Sequence, residues 1–187
     1  MEDIFEEAEK RLRKKYYGWE GAKHFKGTGH RLVRACEELC WTNEKIKTEL
    51  EKCFGAAYVD NYDELLVEGP IEVWTLCPHH LLPCRLTVHI GYIPNELVLG
   101  LSKFVRIAII LGKRPVIQEM YTRELANEVQ KHLDPKGIGI SVTGVHGCMR
   151  TRGVRQNANV TTSVLTGIIE NRLEVRAEFY DLVRREK

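Results

Sequence analysis

The chain has 187 residues, with 28 lysines and arginines against 26 aspartates and glutamates, a net charge of +2. That length suits one well-packed domain with a small helical appendage, and the near balance of charge argues against a general nucleic-acid binder. The absence of any run of about eighteen apolar residues argues against a membrane-spanning helix, and the acidic, amphipathic opening MEDIFEEAEKRLRKK is not built like a secretory signal.

The first third reads as helical. Ile4, Ala8, Leu12 and Tyr16 recur every four residues, and Leu32, Val33, Cys36, Leu39 and Cys40 make a second apolar stripe. KHFKGTGH (24–31) reads as the loosest stretch, a joint after the first helix. Thr42 is placed to cap a third helix with Ile46, Leu50, Cys53 and Phe54 on one face. The pattern changes near residue 71, which divides a helical region (1–70) from the rest (71–187). IEVWTLC and RLTVHIGYI have the alternation and β-branched content of strands. LSKFVRIAIILG and TRELANEVQKHL return to helical spacing. After the turn signal DPKG come two more strands, IGISVTGV and NVTTSVLTGII, and a closing helix, LEVRAEFYDLVRREK. From residue 71 the order is therefore strand, strand, helix, helix, strand, strand, helix, an α+β pattern.

Six cysteines (Cys36, Cys40, Cys53, Cys77, Cys84, Cys148) in a chain of this size, with ample apolar residues for a core, point to free thiols in a reducing cytoplasm rather than a stapled secreted fold. Two of them frame CPHHLLPC, residues 77–84. Cys77 and His80 have the C-x-x-H spacing at which a strand end and a tight turn offer two ligands to one zinc ion. HGCMRTRG supplies His146 and Cys148, two apart, which in an extended chain point to one side. Cys77, His80 and Cys148 would give three protein ligands and leave a fourth position for water, the signature of a catalytic zinc. His79 and His146 would then stand beside the metal as proton carriers. The spacing alone leaves open a blander reading, in which His79 faces solvent or core and Cys84 and Cys148 are buried thiols.

In order and separation, CPHHLLP, HIGYIPN, VLGLSKFVRI, RPVIQEMYT, HGCMRTRGV and TTS resemble the zinc-dependent GTP cyclohydrolase I family, from about residue 70 to the C-terminus. The resemblance implies the tunnelling fold, an antiparallel four-stranded sheet with two helices inserted between its middle strands. It also implies a homodecamer of two pentameric rings with active sites between subunits. Zn2+ would be held by Cys77, His80 and Cys148, with His146 as the proton donor that makes C8 of GTP electrophilic and His79 assisting. The products would be formate and 7,8-dihydroneopterin triphosphate.

The same resemblance assigns the substrate contacts. Ser102 reads as an N-cap that puts Lys103 and Arg106 in the first turn of a helix, where cations oppose the dipole by a few tenths of a kcal/mol to about 1; a bound polyphosphate reverses that sign. By spacing alone these residues read equally as a solvated surface turn. The family places them, with Arg152, on the triphosphate, and Arg31 matches a further phosphate-reaching arginine. Glu119, with Gln118 beside it, falls on the family's guanine-reading carboxylate, and Ser102 belongs to the same pocket. His24, His30, His89 and His132 have no partner motif and read as structural or surface groups. Three departures stand out: Pro78 occupies a position usually held by Glu, the segment RQNANVTTS is one residue shorter than the pattern, and the N-terminal third is short and matches the pattern poorly. They keep a second reading alive, a zinc hydrolase acting on another (deoxy)nucleotide or stopping after ring opening. A third, non-enzymatic reading requires a fourth protein ligand closing the zinc shell, with Cys84 nearest in sequence.

Overall fold

In the computed structural model, which describes residues 2–185, the amphipathic opening is helix α1 (Glu2–Lys15). It belongs to a unit spanning Met1–Trp41, with a 3-10 helix at Glu20–Phe25 and α2 at Thr28–Leu39. The stretch expected to be loosest therefore closes one helical turn and starts another. The reason lies outside the stretch. The Glu9 carboxylate of α1 accepts hydrogen bonds from the backbone N–H groups of Gly29 (3.0 Å) and Gly27 (3.1 Å), placing an anion at the start of α2, whose own first turn has none. The Gly29 N–H, helped by that of Gly27, holds the Glu9 carboxyl below its ordinary range. Gly27 caps α2 in the left-handed region (φ 76°), which glycine enters without strain. The expected stripe on α1 is less complete than its spacing implied: Ile4 stays 72 % exposed, and Tyr16 lies beyond the helix, against Phe25 at 5.8 Å between ring centroids.

The second unit, Thr42–Lys187, carries the sheet. Helix α3 (Asn43–Phe54) begins where expected: the Thr42 side chain accepts from the Lys45 N–H at 3.2 Å, and Ile46, Leu50, Cys53 and Phe54 are buried. His132 stacks on Phe54 with centroids 4.2 Å apart, a structural role. A two-residue strand, β1 (Tyr58–Val59), precedes the long strands β2 (Leu66–Leu76) and β3 (Pro83–Ile93). Strand β4 (Leu97–Val98) pairs with β1, and helices α4 (Leu101–Leu111) and α5 (Gln118–Leu133) follow. Strand β5 (Gly137–His146), the short helix α6 (Gly147–Arg150), β6 (Val160–Thr166), α7 (Gly167–Asn171) and α8 (Leu173–Arg185) complete the unit. The sheet is antiparallel in the order β2-β3-β5-β6, with α4 and α5 inserted between its two central strands. This is the architecture expected for the tunnelling fold.

Leu86, Val88, Ile90 and Tyr92 alternate along β3 on one face and are buried, as are Ile138, Ile140 and Val142 on β5. Phe104, Ile107, Ala108 and Leu111 of α4 and Tyr121, Leu125, Ala126 and Val129 of α5 supply the other half of this core. A second cluster on the opposite face joins Ile93, Ile169, Phe179 and Val183. Two boundaries differ from the sequence reading. Strand β2 starts at Leu66, before the visible change in pattern. Strand β6 stops at Thr166, because Gly167 (φ 57°) turns the chain and its two isoleucines enter α7. The end of the closing helix, at 186–187, lies outside the described residues. Among the described residues no helix is long and apolar enough to cross a membrane.

One half-buried acid gives this fold a pH dependence. Glu68, on β2, has a carboxylate oxygen without solvent contact or hydrogen-bond partner, and burial raises its pKa to about 7 from 4.5. An acid whose pKa is higher in the folded state than in the unfolded chain destabilises the fold as pH climbs between those two values. Glu68→Gln is therefore expected to raise the denaturant midpoint at pH 8 and leave it unchanged near pH 4, measured by urea unfolding at both.

Candidate metal centre and active site

Strands β2 and β5 both pair antiparallel with β3, so their C-terminal ends lie at the same edge of the sheet on either side of the start of β3. Cys77 follows the last residue of β2, and Cys148 follows β5 in α6. The turn between β2 and β3 is closed by its own backbone: Cys77 N–H donates to Leu82 O at 2.9 Å, and Leu81 N–H donates to Cys77 O at 2.8 Å. Leu81 takes φ 52° to complete it. His80 is thereby folded back over Cys77, its Nδ1 3.6 Å from Cys77 Sγ.

The ligating atoms of Cys77, His80 and Cys148 all lie within 4.8 Å of one another. Zn–S bonds of about 2.3 Å and Zn–N bonds of about 2.0–2.1 Å, set tetrahedrally, need donors roughly 3.3–3.8 Å apart. The Cys77–His80 separation already meets that requirement. Two thiols and one imidazole also form a donor set that suits zinc over the harder cations. Cys84 is outside this group. Its thiol instead lies 3.4 Å from His146 Nδ1, which weakens the case for a closed, structural shell. The extended geometry expected for His146 and Cys148 is not what brings Cys148 in. Strand β5 ends at His146, and a single helical turn, α6, swings Cys148 towards Cys77.

The surroundings shift the thiols. Burial raises the Cys148 pKa, and its hydrogen bond with Cys77 adds to the shift. Burial pushes Cys84 up to about 11, with the neighbouring Cys77 and Cys148 contributing, so Cys84 keeps its S–H at neutral pH. His79 Nδ1 is 3.7 Å from Cys77 Sγ, and its side chain is exposed. Arg152 reaches the same corner from the loop after α6, with a guanidinium nitrogen 2.7 Å from His80 Nε2. Glu119 is exposed in the first turn of α5. Its neighbour Gln118 is only 2 % exposed, with Oε1 2.8 Å from His146 Nε2. A link between Gln118 and His146 has no signal in the sequence, because it depends on how α5 seats against β5.

The remaining substrate candidates are elsewhere. Gly100, not Ser102, caps α4, so Ser102 is the helix's exposed second residue. Lys103 does sit in the first turn, but Arg106 falls in the second. Phe104 packs on Tyr92, with centroids 4.9 Å apart, and Leu99 N–H donates to the Tyr92 hydroxyl. The start of α4 is therefore anchored at Tyr92, eight residues along β3 from Cys84, or roughly 27 Å at about 3.4 Å per residue. Lys103 and Arg106 sit close enough to the buried Cys53 to oppose the rise that burial imposes on its pKa. Within one chain, then, Cys77, His79, His80, His146, Cys148, Gln118 and Arg152 gather at one end of the sheet, and Ser102, Lys103 and Arg106 lie at the other. Arg31 belongs to the first unit, where its guanidinium donates to Thr28 Oγ1 (2.9 Å), His24 O (3.1 Å) and Lys26 O (3.2 Å).

Comparison with known proteins agrees with this architecture. The family model described as GTP cyclohydrolase I matches residues 17–184, reaching well before the motifs that begin near residue 70. A GTP cyclohydrolase 1 of Dictyostelium discoideum is 36 % identical over 157 residues, covering 83 % of this chain and 68 % of its own. The GTP cyclohydrolase 1 of a Sulfurihydrogenibium species is 42 % identical over 161 residues, covering 86 % and 83 %. That of a Hydrogenobaculum species is 37 % identical over 175 residues, covering 88 % and 95 %. With a family match over most of its length and relatives this similar, the chain belongs to the GTP cyclohydrolase I family and is an enzyme of that family.

Proposed function

We propose that the protein hydrolytically opens the guanine imidazole ring of GTP at C8, releases that carbon as formate and recloses the remainder as 7,8-dihydroneopterin triphosphate, with a net consumption of one water. The observation that carries this reading is the convergence of Cys77, His80 and Cys148 within 4.8 Å, with His146 and Arg152 against their neighbours. A zinc ion held by these three residues supplies the lowering of water's pKa from its bulk value towards about 7.

The chain's own residues supply the rest. His146 is the acid that protonates N7 of the guanine, which makes C8 electrophilic. His79, exposed beside Cys77, assists near the ribose. Glu119 reads guanine: N1–H and the 2-amino group lie side by side and one carboxylate accepts from both. Glu119→Ala is expected to lower the preference for GTP over ATP by on the order of 100-fold, because a site built to accept those donors discriminates through them. Zinc content should not change. Competition binding of the two nucleotides to the zinc-loaded protein checks both points, and an unchanged preference would remove the guanine-reading role.

Ser102, Lys103 and Arg106, with Arg152 and Arg31, hold the triphosphate. The separation of roughly 27 Å between the start of α4 and the metal corner, from about 3.4 Å per strand residue, exceeds the reach of one nucleotide. One protomer therefore contributes the metal corner and another the start of α4. Edge strands β2 and β6 have no outer partner among the described residues, and pairing them with neighbours closes a ring. This favours the homodecamer, about ten times the 21.6 kDa of one chain. The free thiols and the small nucleotide substrate fit a cytoplasmic enzyme.

Turnover of GTP by zinc-loaded protein tests the whole reading. Formate and pterin released in equal amounts support complete chemistry. Formate without pterin means the reaction stops after ring opening, and no product from GTP turns the search to deoxynucleoside triphosphates.

A further inference from the structure

We infer that Gln118 and Cys84 are positioning residues that hold the His146 imidazole from both of its nitrogens, in the tautomer protonated at Nε2. This rests on the proposed role of His146 as the acid: Gln118 keeps the Nε2 proton, and Nδ1, bare in the resting ring, takes up the proton that is passed to N7, displacing the weak Cys84 S–H contact.

The donor bookkeeping around Gln118 leaves one solution. Its Nε2 lies 3.0 Å from Val142 O, 3.0 Å from Val160 O and 3.2 Å from Thr162 Oγ1. Two of these are carbonyl oxygens, which only accept, so the group facing them is the NH2. Turning the amide over would set its oxygen against both carbonyls at hydrogen-bond distance. The threonines agree: Thr122 donates its hydroxyl to Gln118 O at 2.8 Å, so at the 2.7 Å contact between Thr122 and Thr162 it is Thr162 that donates. Thr162 Oγ1 is thereby left as an acceptor for Gln118. With the amide fixed, Oε1 faces His146 Nε2 at 2.8 Å and accepts only, so Nε2 carries the proton.

A neutral imidazole protonated at Nε2 has a bare Nδ1. That atom lies 3.4 Å from Cys84 Sγ, whose alternative acceptor, Leu82 O, is farther away at 3.8 Å. The S–H is therefore directed at Nδ1. Cys84 is 1 % exposed, and strand register places it directly opposite His146, so neither partner is free to drift. The backbone makes room for this arrangement at Gly144, where a Cβ would come within 2.0 Å of Gln118 Oε1 and 2.8 Å of His146 Nε2. Any side chain there would push the amide and the ring apart.

Selective 15N-histidine labelling and solid-state NMR of the zinc-loaded full-length protein, with His146→Ala to assign the signal, tests the inference without disturbing the buried amide. The expected result is a protonated Nε2 and a bare Nδ1 for His146; the reverse pattern overturns the inference. Gln118→Met, which keeps volume but accepts no strong hydrogen bond, should lower kcat by on the order of 10- to 100-fold with KM for GTP little changed, and should mix the two tautomers. A rise in KM with unchanged kcat would instead make Gln118 a substrate contact and sink the positioning role. Cys84→Ala should lower kcat, and Cys84→Ser, which retains a donor, should recover most of it; equal rates for the two would remove Cys84. If His146→Ala turns over GTP at the normal rate, the acid assignment fails while the tautomer result stands. His146→Ala inactive with the wrong tautomer removes this inference alone.

Discussion

Replacing Cys148 with alanine is expected to remove zinc and turnover together. Among the described residues three side chains converge as a candidate metal site, and a zinc site reduced from three protein donors to two loses most of its affinity, on the order of 10³-fold or more. The neighbouring thiol of Cys84 does not take over, because it faces His146 from β3 rather than joining the cluster. Metal content after dialysis against a mild chelator, read beside formate release, gives the result. Cys148→Ala should hold substoichiometric zinc and release no formate above background. Cys84→Ala, treated in the same way, should keep its zinc. Full zinc occupancy in Cys148→Ala would show that the ligand set is drawn wrongly. Zinc lost from both variants would revive a four-ligand structural site.

The contrast between these two cysteines shows what the sequence could and could not say. Spacing identifies Cys77 and His80 because a tight turn is local, and the closing bonds around Cys77 are made within the same six residues. Cys148 is legible as a candidate from its place just past a strand end, but not from extended geometry, since a helical turn carries it towards Cys77. The opposition of Cys84 and His146 depends on strand register, 62 residues apart in sequence, and no local pattern encodes it. Gln118 is the same case in a helix: its place beside Glu119 in the chain says nothing about its amide reaching β5 and β6.

The fold divides along similar lines. Thr42 caps α3, and the alternation along β3 gives its buried face, because capping and pleat are local physics. The cap of α4 lies two residues before Ser102, the cap that the sequence suggests. Ser102 has the better capping side chain, yet the extended backbone at Gly100 begins the helix, and Leu99 is fixed beside it by its bond to the Tyr92 hydroxyl. The order near 24–31 was missed because the stabilising carboxylate, Glu9, comes from a different helix. In each case a long-range partner decided the outcome.

Two inactive variants mixed in one assembly should recover activity that neither has alone. Within a protomer the start of α4, with Lys103, is anchored at Tyr92, while Cys148 stands beside the far end of β3. If a site takes its metal corner from one subunit and its triphosphate clamp from another, Lys103→Ala spoils one half of every site in its homo-oligomer and Cys148→Ala spoils the other. Random co-assembly then pairs an intact metal corner with an intact clamp in about a quarter of the sites, the statistical expectation for two independent choices around a closed ring. Denaturing the variants together and refolding them, then measuring formate release, checks this directly. Against a background near zero for each variant alone, the recovered rate should approach a quarter of that of wild-type protein taken through the same cycle. Recovery on that scale requires exchange of subunits and a site shared between them. Co-assembled protein that stays inactive would mean that the metal corner of one chain is not paired with the start of α4 of another, and the shared site would fall.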